Sequence, residues 1–373
     1  MQTPSLVKEG TTEVFVLSRK TSKKGPGMRQ GEPFYNPAME RSRDLSVVVN
    51  QWFVSMQKKP VRLVDGLAAS GIRGVRLAHE VEGDFEVTIN DYDDQAFGLI
   101  EQNITHNKLT NAVASKKNLN VLLSEEHYHM IDIDPFGSPA YFIDSAVRGI
   151  SNNGIICCTA TDTAALCGVY PRVCLRRYGA YPYHSPVMQE IGLRILLGFV
   201  CREAAKYDKG IEPLLCYSAD YYFRLYLQVR NGKTYANRSM EMMPSLPIKT
   251  FIGFSHMKAA KGSVGPLYMG NLQKKQVVKE LRTNLFEKQL NTKSDLWRLL
   301  QMLEEEADAP PFFYTVETIA SQLKVDLPKR ETLFEYLRGK GFSVARTHIS
   351  PTGLKTNASL KEIEAAFKAL DKS

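Results

Sequence analysis

The chain has 373 residues, 43% hydrophobic and 10% aromatic, so it can bury a sizeable core, and its length suits two domains better than one. Lys and Arg number 48 against 40 Asp and Glu, and the resulting formal charge of +8 favours nucleic acid or another polyanion as partner. The 6 cysteines lack C-x-x-C spacing, which argues against a disulfide frame or zinc ribbon, and no apolar run reaches bilayer length, so a cytoplasmic protein without membrane partners is expected.

Residues 5–18 alternate with period two around Gly10 and predict a small hairpin. The stretch TSKKGPGMRQGEPFYNP that follows is irregular, and its Phe34 and Tyr35 suit stacking on a base beside phosphates, the alternative being that Phe34 plugs the core edge. Met39 to Met56 has helical apolar spacing with mostly solvated charges. Arg41 and Arg43 stand near its start, where an arginine reaches a carboxylate ligand.

From Val61 onward strands and helices alternate as in a parallel α/β sheet. Val61 to Asp65 is a strand, and Gly66-Leu67-Ala68-Ala69-Ser70-Gly71-Ile72-Arg73-Gly74 is a small-residue turn that lets a ligand approach the backbone at a helix amino end. Its spacing matches neither the dinucleotide fingerprint nor the phosphate-cradling loop. After the next strand, Phe85 to Asn90, Asp91 stands where a ribose diol is held, while Asp93 and Asp94 cap the following helix. A weak third strand at 113–115 leads to Asn118, placed where an adenine amino group lies in such a fold.

Met130 to Asp134 is a buried strand that delivers Asp134, Pro135, Phe136 and Gly137 together at its carboxyl end. A helix over 138–150 and a fifth strand over 154–160 follow. Arg172, Arg176, Arg177, Tyr178, Tyr181, Tyr183 and His184 then form a basic loop interleaved with tyrosines, a composition that fits an RNA-tracking surface and a solvated loop equally. A long helix over 185–206 precedes an antiparallel strand pair at 213–218 and 223–229. A mostly parallel seven-stranded sheet closed by one antiparallel strand is the α/β, Rossmann-like layout of class I S-adenosylmethionine-dependent methyltransferases. Residues 231–275 read as a connector, and the remainder as a winged-helix-like α+β domain in which Arg346, His348 and Lys355 near the wing favour RNA. The expected division is a catalytic domain with its hairpin over 1–245, and a connector with a carboxy-terminal RNA-binding domain over 246–373.

With the small-residue turn on the amino acid end of S-adenosylmethionine and Asp91 on its ribose, Asp134-Pro135-Phe136 faces the methyl acceptor. An exocyclic amino group is a poor nucleophile because its lone pair is delocalised into the ring. The Asp134 carboxylate and the Pro135 carbonyl can bind its hydrogens and aim the lone pair, and Phe136 can stack on the base, with Phe34 as the candidate for the opposite face.

Phe34-Tyr35-Asn36-Pro37, the stretch from Asp65 to Arg73, Asn90-Asp91, the stretch from Asp134 to Pro139, Thr161-Asp162-Thr163 and Arg346-Thr347-His348 resemble, in order and over almost the whole chain, the tRNA (guanine-26-N2)-dimethyltransferase family. The resemblance implies a compact, archaeal-type member that uses S-adenosylmethionine to methylate the N2 of guanosine 26 in tRNA. Asp134, Pro135 and Phe136 would be the catalytic motif, with Phe136 and Phe34 clamping the guanine. Arg43, Asp65, Gly66, Ala68, Ser70, Asp91 and Asn118 would hold the cofactor, and Arg346 and His348 would belong to a domain that holds tRNA. Some members carry a zinc-binding cysteine cluster where this chain has Phe251 to Lys261 without cysteine, so no metal is expected; Asn118 replaces a frequent acidic residue. A monomer is expected. The alternatives are an amino methyltransferase for another base or for protein glutamine, which usually presents Asn-Pro-Pro-Tyr, and an idle RNA-binding subunit. Asp134 and Phe136 argue against the first, and the intact glycine turn against the second.

Overall fold

Val14 and Val16 alternate with less buried residues along an amino-terminal hairpin of β1 (Ser5–Glu9) and β2 (Thr12–Val16), which turns at Gly10 in the left-handed region. The computed structural model describes residues 4–17, 35–254 and 262–371, so Phe34 and positions 255–261 lie outside the described residues. Helix α1 (Glu40–Ser55) departs from the expectation of solvated charges: Arg43 and Asp44 are buried. Asp44 Oδ1 forms an ion pair with Arg76 at 2.7 Å and Oδ2 accepts from the Thr292 amide at 2.9 Å, so distant parts of the chain supply the partners that water would otherwise provide.

The alternating elements are β3 (Val61–Asp65), α2 (Ile72–Glu80), β4 (Phe85–Asn90), α3 (Asp94–His106), β5 (Ala112–Ser115), α4 (Leu119–Glu125) and β6 (Tyr128–Ile133). They continue through α5 (Ala140–Gly149), β7 (Ile150–Ala160), α6 (Thr163–Leu166), α7 (Pro171–Tyr178), α8 (Met188–Ala205), β8 (Lys209–Ala219) and β9 (Tyr222–Asn231). The sheet runs β5-β4-β3-β6-β7-β9-β8, with β9 antiparallel to both neighbours. Successive side chains on β6 and β7 point to opposite faces. Ile131, Ile133, Ile156 and Cys158 join α5 and α8 in one core, while Met130, Ile155 and Cys157 join α1 and α2 in another. Each fully buried aliphatic chain contributes about 1.5–3 kcal/mol relative to exposure. The strand order reverses between β3 and β6, where Asp65 lies in register with Asp132.

The stretch expected to be a connector is partly ordered core. It holds α9 (Lys233–Glu241) and a short pair, β10 (Leu246–Pro247) with β11 (Ser263–Val264), and it buries Leu267, Tyr268 and Leu272. Helices α10 (Lys275–Asn284) and α11 (Lys293–Glu306) also pack in the catalytic core through Val278 and Leu300. A separate core begins beyond residue 313, well after the expected division at 245: Gly, Pro and Lys in the intervening sequence mask its scattered apolar residues. There β12 (Tyr314–Thr315), α12 (Val316–Leu323), α13 (Arg330–Gly339), β13 (Val344–Arg346), β14 (Gly353–Thr356) and α14 (Leu360–Leu370) form a winged-helix-like unit with sheet order β12-β14-β13.

Candidate active site

At the switch point the carboxyl ends of β3, β4 and β6 open on a cavity of about 760 Å³, within the usual range for a small-molecule site. The turn after β3 is built by close approach. The Gly66 amide donates to the Asp132 carbonyl at 3.0 Å, and a Cβ on Gly66 would lie 2.8 Å from the Leu119 methyls. Gly71 enters α2 at φ +75°, a left-handed conformation that glycine adopts without steric cost. The Ala68 amide donates to the Asn90 carbonyl at 2.9 Å, and the Ala69 amide donates to Asp91 Oδ2 at 2.8 Å, so Asp91 is fixed against the turn at the cavity rim. Ser70 Oγ is buried on the cavity wall without a hydrogen-bond partner among the described residues.

Asp65 lines the same cavity, and its Oδ2 accepts from the Gly74 amide at 2.9 Å. Burial pushes its carboxyl up to about 7 against the pull of Arg73, with Asp132 and Asp134 adding to the rise. Asn118 caps α4, accepting from the Asn120 amide at 2.9 Å, and stands at the rim. Arg43 is in the wall, but Glu9 of the hairpin holds it: Nε donates to Glu9 Oε2 at 2.7 Å, and Nη2 bonds Glu9 Oε1 and, at 3.1 Å, the Asn36 carbonyl. Tyr35 donates to the same Glu9 at 2.9 Å and lies under the Arg43 guanidinium. Only Arg43 Nη1 is left without a protein acceptor among the described residues.

Asp134, Pro135 and Phe136 follow β6 and line the cavity, with Phe136 45% exposed. Gly137 is at φ +86°, and the turn is pinned on both sides: its amide donates to Thr161 Oγ1 at 2.8 Å and its carbonyl accepts from the Thr161 amide at 2.9 Å. Behind it, Ser138 Oγ bonds Tyr178 OH at 2.7 Å, and Tyr178 donates to Asp162 at 2.7 Å. Tyr178 is therefore a buried strut and not part of a basic loop; residues 171–178 form α7, and the Tyr178 ring closes its buried side. Arg73 Nη2 bonds Asp134 Oδ2, an arginine that sequence reading leaves on the turn without a role. Tyr92 and Tyr141 stand largely exposed at the rim: sequence reading gives Tyr92 no role, and it turns Tyr141 towards the core with Phe142, Ala146 and Val147, which the structure overturns.

The carboxy-terminal candidates lie elsewhere. Arg346 pairs with Glu305 of α11, its Nε donating at 2.8 Å. His348 does not stand on a wing: its side chain is 1% exposed, its Nε2 accepts from the Ser218 amide at 3.0 Å, and its Nδ1 bonds Glu306. Lys355 is likewise buried, against Glu190 of α8. Both side chains are taken out of solvent because the winged-helix unit docks this face on the catalytic body. All 6 cysteines are buried and free, and among the described residues no cluster of three His, Cys, Asp or Glu side chains is arranged to hold a metal.

This sheet order, with a small-residue turn after the first parallel strand and an acidic residue after the second, defines the class I S-adenosylmethionine-dependent methyltransferase fold. A model of the family described as N2,N2-dimethylguanosine tRNA methyltransferase matches residues 17–368. Relatives called tRNA (guanine(26)-N(2))-dimethyltransferase include one from Methanobrevibacter smithii, 36% identical over 98% of both chains. Another, from Thermococcus kodakarensis, is 36% identical over 97% of this chain and 98% of its own. The solved structure of Trm1 from Pyrococcus horikoshii in complex with S-adenosyl-L-methionine superposes with a TM-score of 0.85 at 32% identity, covering 97% of this chain and 99% of that one. The chain belongs to the N2,N2-dimethylguanosine tRNA methyltransferase family.

Proposed function

We propose that this protein transfers methyl groups from S-adenosylmethionine to the exocyclic N2 of guanosine 26 in tRNA, giving N2-methyl- and N2,N2-dimethylguanosine. The observation that carries the reading is the placement of Asp134-Pro135-Phe136 on the same cavity as Asp65, Ser70 and Asp91. The residues present fit the cofactor: the orphaned Ser70 Oγ, the Asp91 carboxylate at the rim and the remaining Arg43 donor match polar groups of an amino acid and a ribose. When bound, S-adenosylmethionine supplies an electrophilic methyl group: the N2 lone pair forms the new C–N bond while the C–S electron pair stays on sulfur. Asp134 and the Pro135 carbonyl accept from the N2 hydrogens, hold the lone pair in line and take up developing positive charge. The displaced proton leaves for water by way of the Asp134 carboxylate. Phe136 offers its exposed ring to the base, and Phe34 is the candidate for stacking on the opposite face. Arg172 and Arg176, exposed on α7, offer positive charge to the tRNA backbone. In this reading the protein is a cytoplasmic monomer, and Arg346 at the wing contacts RNA only by leaving Glu305.

Purified protein incubated with labelled S-adenosylmethionine and unmodified tRNA should yield N2-methylated guanosine on nucleoside analysis; label confined to adenosine, or none at all, would sink the reading. Cofactor binding should also be proton-linked. Asp65 titrates near 7 in the free protein, and a bound ammonium favours its ionised form, so binding below that pH releases a proton and affinity rises with pH. Calorimetry in buffers of different ionisation enthalpy measures that proton, and Asp65→Asn should remove it.

A further inference from the structure

Arg73 is the second residue of α2, and its side chain, 6% exposed, runs back across the strand ends. Its three nitrogens meet three different residues. Nε stands 3.7 Å from Asp132 Oδ2 on β6, Nη1 donates to Ser46 Oγ on α1 at 2.6 Å, and Nη2 bonds Asp134 Oδ2. Asp132 is held independently, by two bonds from Arg224 on β9 at 2.9 and 2.5 Å, and Arg224 also reaches Ser46 Oγ at 3.3 Å. The guanidinium is therefore gripped on two sides by groups that do not face the acceptor base, and its third side fixes one oxygen of Asp134. The other oxygen, Oδ1, has no protein donor among the described residues, on a residue that lines the cavity.

We infer that Arg73 is a positioning residue that dedicates Asp134 Oδ1 to the guanine amino group, and that this tie governs the second methylation more than the first. The inference rests on the proposed guanine N2 reading. In the first transfer N2 carries two hydrogens and engages two acceptors, Asp134 and the Pro135 carbonyl, so a displaced carboxylate leaves one anchor. After one methyl is added a single N–H remains. Its alignment then depends on one acceptor, and a shift of about 1 Å in such a group costs about 100-fold in rate.

The test is product analysis with wild type, Arg73→Met and Arg73→Lys on unmodified tRNA, together with KM for tRNA and direct S-adenosylmethionine binding. Expected are a fall in kcat of about 100-fold for R73M, with KM and cofactor affinity close to wild type. R73K, which keeps the charge but has a single donor head, should recover part of the rate, and the dimethyl share should drop in both variants. Should R73M fail to fold, Ser46→Ala removes the Nη1 acceptor, along with the longer contacts of the same hydroxyl to Arg224 and Tyr226, and should show the same drop in dimethyl share at a smaller cost in rate. Variants whose mono-to-dimethyl ratio equals that of wild type overturn the inference, as does a loss of cofactor binding in proportion to the loss of rate. A wild-type protein that makes no N2-methylated guanosine overturns the parent reading as well, so the two failures are distinguishable.

Discussion

Asp134→Ala should lower methyl transfer by about 1,000-fold or more while leaving S-adenosylmethionine binding nearly unchanged. Asp134 is attached to the cavity at one edge: its backbone follows β6, the turn after it is pinned by Thr161, and its carboxylate touches Arg73. None of the contacts that shape the cofactor turn runs through it; those belong to Asp65, Asn90, Asp91 and Asp132. Arg73 keeps Ser46 and Asp132 when Asp134 is gone, so the buried cation stays compensated. What disappears is the acceptor for the N2–H. Single-turnover transfer and equilibrium binding, measured on the same preparation, decide the matter, and equal losses in both would show that Asp134 is structural.

Glu190→Gln should cost about 3 kcal/mol of stability at neutral pH and loosen the winged-helix unit from the catalytic body. Glu190 lies inside α8 with no solvent contact. It accepts from Arg194 at 2.8 and 3.0 Å, from the Phe312 amide at 2.8 Å, and from Lys355 of β14 at 3.2 Å. Burial alone would raise its carboxyl, but Lys355, Arg194 and that amide outweigh burial and hold it at about 2, below its ordinary 4.5. For a carboxyl depressed in the folded state, the unfolded chain binds the proton more tightly. The contribution is therefore fully present above about pH 4.5 and is lost as pH falls through about 2. Denaturant unfolding at a series of pH values should show the gap between wild type and variant shrinking over that window. A gap that does not change with pH would place the effect in packing and not in charge.

Much of the catalytic domain was legible because its signals are local. Period-two and helical apolar patterns place every strand of the large sheet within a few residues, and the small-residue turn and the aspartate after β4 occupy the positions in the cavity that their chain order implied. Asp134-Pro135-Phe136 was readable for the same reason, as a polar cluster ending an apolar strand. The carboxy-terminal reading was less complete. The helix, helix, strand order of the winged unit was visible, but Arg346, His348 and Lys355 read as a basic wing, whereas two of the three are buried at a seam. A charge run looks the same in sequence whether water or an opposite charge covers it.

The sequence by itself determined the succession of strands along the chain, the small-residue turn after β3 and the Asp134-Pro135-Phe136 turn after β6, because each depends on neighbours a few positions away. Only the tertiary structure decided which charges are paired. Arg73 meets Asp134 across 61 residues, Glu9 meets Arg43 and Arg76 across 34 and 67, and Lys355 meets Glu190 across 165. The free energy of a buried charge depends on the opposite charge and the donors folded against it, and those arrive from strands and helices that no local pattern connects.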